Sequence, residues 1–389
     1  MKKITAISMV LLLLLNANPV LAREKKQEAS ELAPTVKSAI LIERDTGTIL
    51  YDKNADKKLP PASMTKIMTM LLIMEALDSG QIKLSDKVRT SENAASMGGS
   101  QVFLEPGEEL TVKQMLDAIS IASANDACVA MAEKLAGSEE EFVKKMNKRV
   151  SELGLKNTQF QNSTGLPAKK HYSSAADMAA MGRELLKHKK ITEFTGQYES
   201  FLRENTDKQF WLVNTNRLVK FYPGVDGLKT GFTDESKYCL TATAERDGMR
   251  IVAVVFGAKS PKDRNAEVTN LLDYGFNQYA TKRQYAKGEK LAFVPVSKGS
   301  IEKVNLVAAD HVTLLMKKGE SMKDVHPKMT LKKNIQAPIK KGQVLGKITI
   351  EKDGKLISTT DLIATEDVNE ASWLKLFGRS LSNFTQVKK

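Results

Sequence analysis

The chain has 389 residues, of which 42% are hydrophobic and 27% charged, and its formal net charge is +13. This length exceeds one ordinary domain and predicts two, and the hydrophobic content supports a sizeable core and excludes wholesale disorder. The basic balance favours an anionic neighbourhood such as lipid headgroups or cell-wall polymers. No basic and aromatic motif accompanies the charge, which argues against nucleic acid as a partner.

The first 22 residues have the pattern of a secretory signal. Lys2 and Lys3 precede the short apolar run AISMVLLLLL, and the small residues Val20 and Ala22 predict cleavage after Ala22. A retained anchor is the alternative, although the apolar run is short for a membrane-spanning helix. We therefore expect an exported protein in which residues 23–35 form a polar tether.

Residues 36–282 alternate between strand and helix patterns. Hairpins are predicted around the turns Asp45–Gly47 and Asp247–Gly248. Helices are predicted over 61–77, after the cap Thr111, in DACVAMAEKLAG up to Gly137, from a capping box of Ser138 and Glu141 to Gly154, in SSAADMAAMGRELLKH and in DRNAEVTNLLDYGFNQYA. Because strands stand at both ends with helices between them, we expect an α+β domain with one antiparallel sheet packed by helices.

The composition changes twice after residue 282. Residues 283–366 have short alternating runs with Gly and Pro punctuation, which predict a small all-β domain with a hairpin turn at Asp353–Gly354. Residues 367–389 predict an amphipathic helix. Its apolar stripe is Leu374, Phe377, Leu381 and Phe384 beside Trp373, and Lys375, Arg379, Lys388 and Lys389 lie outside the stripe. This pattern favours docking in an anionic membrane interface without spanning it, with ordinary core packing as the alternative.

The cysteines and histidines offer little chemistry. Cys128 and Cys239 are too few for a disulfide scaffold, and we interpret both as buried free thiols. Metal-ligand spacing is absent from the four histidines, His171, His188, His311 and His326, so no metal or other cofactor is expected. The sequence contains no G-x-S-x-G, which leaves a Ser–His–Asp triad unsupported. We interpret His171 as a loop residue before a helix cap.

A serine and a lysine stand three residues apart at the start of the helix predicted over 61–77. Positions i and i+3 share a helix face, and burial of Lys66 among apolar neighbours would favour a neutral amine that can take the proton of Ser63. Alone, S-x-x-K is a weak signal, because Ser300/Lys303 and Ser372/Lys375 repeat it.

Two further motifs strengthen the pattern. Ser123-Ala124-Asn125 lies between two predicted helices, where a loop can present polar groups, and Lys229-Thr230-Gly231 lies on a predicted strand before a hairpin. S-x-N also occurs at Ser91/Asn93, so it too is weak singly. Ordered S-x-x-K, S-x-N and K-T-G, each on a suitable element, are a strong signal for serine acyl transfer.

At these residues the chain resembles the penicillin-binding serine acyltransferases, and more closely the low-molecular-mass D-alanyl-D-alanine carboxypeptidases. The strings LPPASMTKIMT, ANDACVAMAE and GVDGLKTGFT are most similar to the Gram-positive type, whose sporulation-associated branch is one option. The resemblance extends over the signal, the domain at 36–282, the β domain and the tail. It implies a β-lactamase/transpeptidase-like catalytic fold, peptidoglycan stem peptides ending in D-Ala-D-Ala as substrate, and β-lactams as covalent inhibitors.

The resemblance also implies a role for each motif residue. Ser63 would attack the penultimate D-alanine carbonyl, Lys66 would accept the serine proton, and Ser123 would relay a proton toward the leaving D-alanine. The expected substrate-binding groups are Asn125 for the amide, Lys229 and Thr230 for the terminal carboxylate, Gly231 for the substrate backbone, the N–H groups of Ser63 and Phe232 as oxyanion hole, and Arg264 or, more weakly, Arg217 near the carboxylate. For each arginine a solvated surface charge is the alternative.

Two other functions remain as alternatives. Class A β-lactamases use an additional glutamate for deacylation, and Glu152 is the best candidate here, although it fits the last turn of a helix before Gly154 more simply. Without that glutamate an acyl-enzyme should persist, so we expect a protein that penicillin blocks. A non-catalytic wall-binding protein is the other alternative, and the intact set of Ser63, Lys66, Ser123 and Lys229 argues against it. Transpeptidation remains open.

Overall fold

The computed structural model describes residues 32–320, 325–352 and 355–386. Its strands in chain order are β1 (Ser38–Glu43), β2 (Ile49–Lys53), β3 (Lys87–Arg89), β4 (Glu109–Thr111), β5 (Glu199–Leu202), β6 (Phe210–Val213), β7 (Val225–Thr233), β8 (Lys237–Arg246), β9 (Met249–Ala258), β10 (Tyr279–Tyr285), β11 (Lys290–Pro295), β12 (Lys303–Ala308), β13 (Val312–Lys317), β14 (His326–Leu331), β15 (Val344–Lys352) and β16 (Lys355–Ala364). Its helices are α1 (Lys66–Asp78), α2 (Glu92–Ala95), α3 (Val112–Ser120), α4 (Asn125–Ala136), α5 (Glu139–Glu152), α6 (Ala175–Leu185), α7 (Ile191–Thr195), α8 (Leu218–Phe221), α9 (Pro261–Gln278) and α10 (Trp373–Gln386). The predicted signal, the tether up to residue 31, the Asp353–Gly354 turn, Lys388 and Lys389 lie outside the described residues.

One five-stranded antiparallel sheet organises the first part of the chain. Its strand order is β2-β1-β9-β8-β7. The pairs β1–β2 and β8–β9 confirm the hairpins predicted at Asp45–Gly47 and Asp247–Gly248. Strand β7 lies at the edge of the sheet, so its outer backbone groups face away from β8. This edge strand carries the K-T-G motif.

Helices cover both faces of this sheet. Helices α1 and α3 to α6 pack on one face, and α9 packs on the other through Val268, Leu271 and Leu272. Strand β9 is therefore buried on both faces, which explains its nearly continuous apolar sequence. Helix α1 is apolar on all sides because it lies inside the helical layer. The predicted α+β architecture is confirmed.

Two predicted helix starts differ in detail from the structure. The helix expected to begin near Ser63 begins with a 3-10 turn over Ala62–Thr65, and α1 starts at Lys66. Ser138 accepts a bond from the Glu141 N–H, but the Glu141 carboxylate pairs with Lys144 at 2.7 Å instead of closing the predicted capping box. The Thr111 cap is confirmed, and there Gln114 does complete a capping box.

A second five-stranded sheet, in the order β11-β12-β16-β15-β14, forms the predicted β domain, and β10 pairs with β13 beside it. Its core includes Val304, Leu306 and Ile348. The two parts of the chain are joined by an ion pair between Arg44 and Asp310 at 2.8 Å.

Helix α10 presents an aromatic surface. Trp373 and Phe377 stack with ring centroids 5.3 Å apart, and both are largely exposed. On the other side, Lys375 Nζ donates to the Ser300 carbonyl at 2.8 Å and Arg379 Nη1 donates to the Gly299 carbonyl at 2.8 Å. The basic side chains therefore hold the helix against the β domain while the rings face outward. In the described ranges, no helix is long and apolar enough to cross a membrane.

Candidate active site

The nucleophile candidate lies on a strained turn at the start of α1. Ser63 belongs to the 3-10 turn, in which the side chains of residues i and i+3 are nearly eclipsed. The side chains of Ser63 and Lys66 therefore lie on the same side of the turn. The preceding residue, Ala62, has a φ of +48°, a left-handed conformation that is costly for a residue with a Cβ. Ser63 is partly exposed, whereas Lys66 is fully buried.

Three oxygen atoms surround the Lys66 amine. Its Nζ lies 3.1 Å from Ser63 Oγ, 2.6 Å from Asn125 Oδ1 and 2.7 Å from the Thr164 carbonyl. The amide oxygen and the carbonyl can only accept hydrogen bonds, whereas the serine hydroxyl can donate. Burial lowers the pKa of Lys66 from its ordinary value near 10.5, which favours the neutral amine.

The S-x-N motif lies between α3 and α4, as predicted. Asn125 starts α4, and its Nδ2 donates to the Gly98 carbonyl at 2.7 Å while its Oδ1 faces Lys66. Ser123 has a φ of +64° and is buried, and its Oγ has no hydrogen-bond partner among the described residues. A buried hydroxyl without a partner in a strained loop suggests a group reserved for substrate.

The K-T-G motif lies on β7. Burial and the nearby charge of Lys66 lower the pKa of Lys229 well below its ordinary value, so the two amines lie close enough to repel each other when both are charged. Thr230 Oγ1 donates to Thr215 Oγ1 at 2.7 Å. The three motifs thus share one region, with the two lysines electrostatically coupled.

Two glycines allow neighbouring segments to approach the nucleophile turn. A Cβ on Gly231 would lie 2.7 Å from the Pro61 carbonyl, so glycine here lets β7 pack directly against the turn. A Cβ on Gly165, where φ is +89°, would lie 1.9 Å from the Ala62 carbonyl. The sequence assigned Gly231 to contact with substrate, whereas its closest contact within the chain is this packing.

The remaining predicted residues differ in their proximity to the site. Phe232 is exposed and stacks on Tyr238. Arg264 on α9 is buried, and its charge contributes to the lowered pKa of Lys229, so it is not a solvated surface charge. Arg217 is exposed and bonds the Tyr198 hydroxyl. Glu152 ends α5, where it pairs with Arg149 at 3.3 Å, as expected for a surface helix terminus.

His171 is more constrained than the sequence indicated. It precedes the Ser174 cap as predicted, but its ring is buried. Its Nδ1 accepts from the Gln161 N–H at 3.1 Å, so its Nε2 carries the hydrogen and donates to Thr65 Oγ1 at 2.8 Å. Burial lowers the pKa of His171 to about 4. A neutral histidine therefore supports the residue next to Lys66.

The other candidate groups have structural roles. Lys303 lies 4.7 Å from the centre of the Phe293 ring, and Lys375 bonds the Ser300 carbonyl, so the two additional S-x-x-K copies belong to the β domain and its helix. Cys128 and Cys239 are buried free thiols, as predicted, and burial raises the pKa of each to about 12.

Comparison with known proteins identifies relatives of this chain. A family model described as D-alanyl-D-alanine carboxypeptidase matches residues 24–260, and one for the C-terminal domain of penicillin-binding protein 5 matches residues 279–370. The chain belongs to the D-alanyl-D-alanine carboxypeptidase family. It is 57% identical over 389 residues, all of both chains, to the carboxypeptidase DacF of Bacillus subtilis. It is 37% identical to DacA of Escherichia coli over 86% of this chain and 84% of that protein.

A solved structure supports the same family membership. Penicillin-binding protein 5 from Haemophilus influenzae superposes with a TM-score of 0.67 at 33% identity, covering 86% of this chain and 98% of that one. The recognition of the family from its three motifs is therefore confirmed.

Sequence reasoning missed three residues that hold the predicted ones in place. The Thr164 carbonyl bonds Lys66, the Gly98 carbonyl bonds Asn125, and Thr215 bonds Thr230. Backbone carbonyls carry no side-chain signal in a sequence. The string NSTG at residues 162–165, in which Asn162 Oδ1 accepts from the Gly165 N–H at 2.7 Å, is the one turn pattern that could have indicated the Thr164 loop.

Proposed function

We propose that this chain removes the terminal D-alanine from peptidoglycan stem peptides through an acyl-enzyme on Ser63. The observation that carries the proposal is the surroundings of the Lys66 amine. In its neutral form the amine has two N–H groups, which Asn125 Oδ1 and the Thr164 carbonyl can accept, and one lone pair, which is then left facing the Ser63 hydroxyl. Lys66 is thereby oriented as the general base.

In the proposed first step, the Ser63 oxygen bonds to the penultimate D-alanine carbonyl carbon as its proton passes to Lys66 Nζ. The tetrahedral oxyanion is held by the backbone N–H groups of Ser63 and Phe232. Ser63 lies in the first turn of a helix, where N–H groups have no partner within the turn. Loss of one such donor typically costs about 3 kcal/mol of transition-state stabilisation.

The second step breaks the C–N bond and releases D-alanine. The proton must reach the leaving nitrogen, and the unpartnered Ser123 hydroxyl, buried in the loop between α3 and α4, is suited to relay it from Lys66. Asn125 retains one N–H beyond its bond to Gly98, which can hold the substrate amide carbonyl. Water then attacks the ester, which regenerates the serine hydroxyl and frees the shortened peptide as a carboxylate.

The terminal carboxylate of the donor is assigned to the K-T-G end of the site. The Thr230 hydroxyl, which donates to Thr215 in the described structure, can rotate to donate to the carboxylate, and the buried Arg264 supplies a positive charge. A carboxylate beside Lys229 would favour its ammonium form, which burial and the charge of Lys66 otherwise disfavour. Because β7 is the edge strand of the sheet, the donor can add beside it as a further antiparallel strand.

A β-lactam would acylate Ser63 in the same way and remain attached. Glu152, the best candidate for a deacylating glutamate, is paired with Arg149 at the surface end of α5, which favours a penicillin target over a β-lactamase. Rapid turnover of a chromogenic cephalosporin would contradict this part of the proposal.

The deciding experiment measures D-alanine release from diacetyl-L-lysyl-D-Ala-D-Ala, together with labelling by a fluorescent penicillin. We expect the wild type to do both and Ser63→Ala to do neither. Ser300→Ala, in a second S-x-x-K copy, is the matched control and should behave as wild type. A Ser63→Ala protein that still releases D-alanine, or a folded wild type that labels but releases none, would refute the carboxypeptidase assignment.

We further infer that the protein is exported and docks on the outer face of the membrane through α10. The outward rings of Trp373 and Phe377 and the basic tail support docking. Trp373→Glu with Phe377→Glu should abolish cosedimentation with anionic lipid vesicles, whereas Phe293→Glu, an exposed ring on the β domain, should not. Unchanged binding of the double variant would exclude α10 as the anchor.

A further inference from the structure

A groove of about 620 Å³ opens beside the nucleophile turn and extends to the end of β7. We call it the lysine groove, and its lining includes Lys58, Lys169, Lys170, Tyr172, Thr233 and Glu235. All three lysines are exposed, and none forms an ion pair among the residues the structure describes. Lys58 Nζ lies 4.9 Å from the centre of the Tyr172 ring instead. With one glutamate against three lysines, the groove is positively charged.

Residues 165–171 form the wall of the groove that carries Lys169 and Lys170, and this segment is held in place at both ends. At its start, Gly165 packs on the Ala62 carbonyl, and Asn162 Nδ2 donates to the Leu166 carbonyl at 2.9 Å. At its end, the His171 N–H donates to the Ala168 carbonyl at 3.1 Å, and the histidine ring is buried.

The backbone of the second of these lysines is itself unusual. Lys170 has a φ of +61°, a conformation that a residue with a Cβ adopts only when its surroundings enforce it. The backbone positions of Lys169 and Lys170 are therefore fixed before any ligand arrives, which reduces the entropy cost of binding.

The direction of the donor peptide leads into this groove if the proposed function is correct. Its carboxylate end is placed at Thr230 and its scissile carbonyl at the Phe232 N–H. A strand that runs antiparallel to β7 must then continue past Thr233 toward Glu235. An extended chain advances about 3.3 Å per residue, so the groove receives the residues one to three positions before the D-Ala-D-Ala end.

We propose that the lysine groove is a subsite for a carboxylate carried by the acyl-donor peptide on the N-terminal side of its D-Ala-D-Ala end. This proposal rests on the proposed function for the direction of the donor. The anionic groups of a peptide donor are carboxylates, and flexible exposed lysines suit a carboxylate whose position varies by a residue. The groove is thus a specificity element for anionic donors, separate from the acyl-transfer residues.

Two synthetic peptides test this proposal. Both are N-acetylated γ-D-glutamyl-Nε-acetyl-L-lysyl-D-Ala-D-Ala, and they differ only in a free or an amidated α-carboxylate on the glutamyl residue. Each competes with a fluorescent penicillin for acylation of the wild-type protein, which yields an inhibition constant without requiring turnover. We expect the free acid to bind about tenfold more tightly at low salt, because its carboxylate can pair with three exposed lysines. The difference between the two peptides should be smaller at high salt, which screens these charges.

The groove variant is Lys58→Gln, Lys169→Gln and Lys170→Asn, because asparagine tolerates the left-handed backbone at residue 170. In this variant the ratio of the two inhibition constants should fall toward one.

The matched control is Lys83→Gln, Lys134→Gln and Lys156→Gln, which removes the same charge from exposed lysines outside the groove lining and should keep the wild-type ratio. A wild-type ratio near one, or a groove variant that keeps the wild-type ratio, would overturn the subsite. D-alanine release from the amidated peptide is followed separately, so failure of the proposed function is distinguished from failure of the groove.

Discussion

Replacing the buried histidine beside α1 should change how the stability of the protein depends on pH. The pKa of His171 is about 4 in the folded protein, against 6.5 in the unfolded chain. Between these values the unfolded state binds more protons, so the free energy of unfolding rises with pH over this window. The difference corresponds to about 3 kcal/mol, which is fully present above pH 6.5 and lost as the pH falls to about 4. Protonation of His171 would also place an Nδ1–H opposite the Gln161 N–H. Two donors would then face each other, which makes the protonated folded state less favourable.

The measurement is urea unfolding at a series of pH values from 7.5 to 4 for the wild type and for His171→Gln. Glutamine can still donate to Thr65 but does not titrate, so the acid-dependent loss of stability should be smaller in the variant by up to about 3 kcal/mol. Other titrating groups contribute equally to both proteins and cancel in the difference. Parallel stability curves for the two proteins across this range would refute the reasoning.

Three further outcomes follow from the site. Gly165→Ala should abolish penicillin acylation, because the added Cβ would clash with the Ala62 carbonyl. The control is Gly137→Ala, which is also at positive φ but has nothing within 4 Å of the added Cβ. It should cost about 1 kcal/mol of stability and keep acylation. Thr215→Val should raise KM for the peptide donor by removing the hydroxyl that holds the Thr230 side chain in position, and Thr215→Ser should restore it; equal KM values would contradict this. Glu152→Gln should leave the lifetime of the penicilloyl-enzyme unchanged, and a longer lifetime would assign Glu152 to deacylation.

Much of this fold was predictable because its strongest signals are local. The Asp247–Gly248 turn between two apolar runs specifies a hairpin, and the apolar segment after Ser63 specifies a buried helix. The order of the sheet was not predictable, since β1 pairs with β9 across more than two hundred residues and no local pattern encodes that contact. The capping box predicted at Ser138 is wrong for a similar reason, because the Glu141 carboxylate pairs with Lys144, one turn further along the helix.

The candidate site shows the same division between side chains and backbone. Ser63, Lys66 and Asn125 were found because their side chains form recognisable motifs. Their supports at Thr164 and Gly98 act through carbonyl groups, so any residue type could stand there. Arg264 could not be distinguished from a surface charge by sequence, since its burial depends on how α9 packs across the sheet.

The coupling between the two buried amines predicts that the donor itself activates the base. Burial and the charge of Lys66 lower the pKa of Lys229, and because interacting sites affect each other equally, a protonated Lys229 must lower the pKa of Lys66. A donor carboxylate beside Lys229 favours its ammonium form, and this charge opposes protonation of Lys66. With penicillin bound, its carboxylate has the same effect, so Lys229→Gln removes a repelling charge from the complex, and the acid limb of the acylation rate at saturating penicillin should move to higher pH. Lys229→Arg, which retains the charge, should keep the limb near its wild-type position even though it acylates slowly. A limb that stays in place in the glutamine variant, or moves to lower pH, would show that the two amines titrate independently.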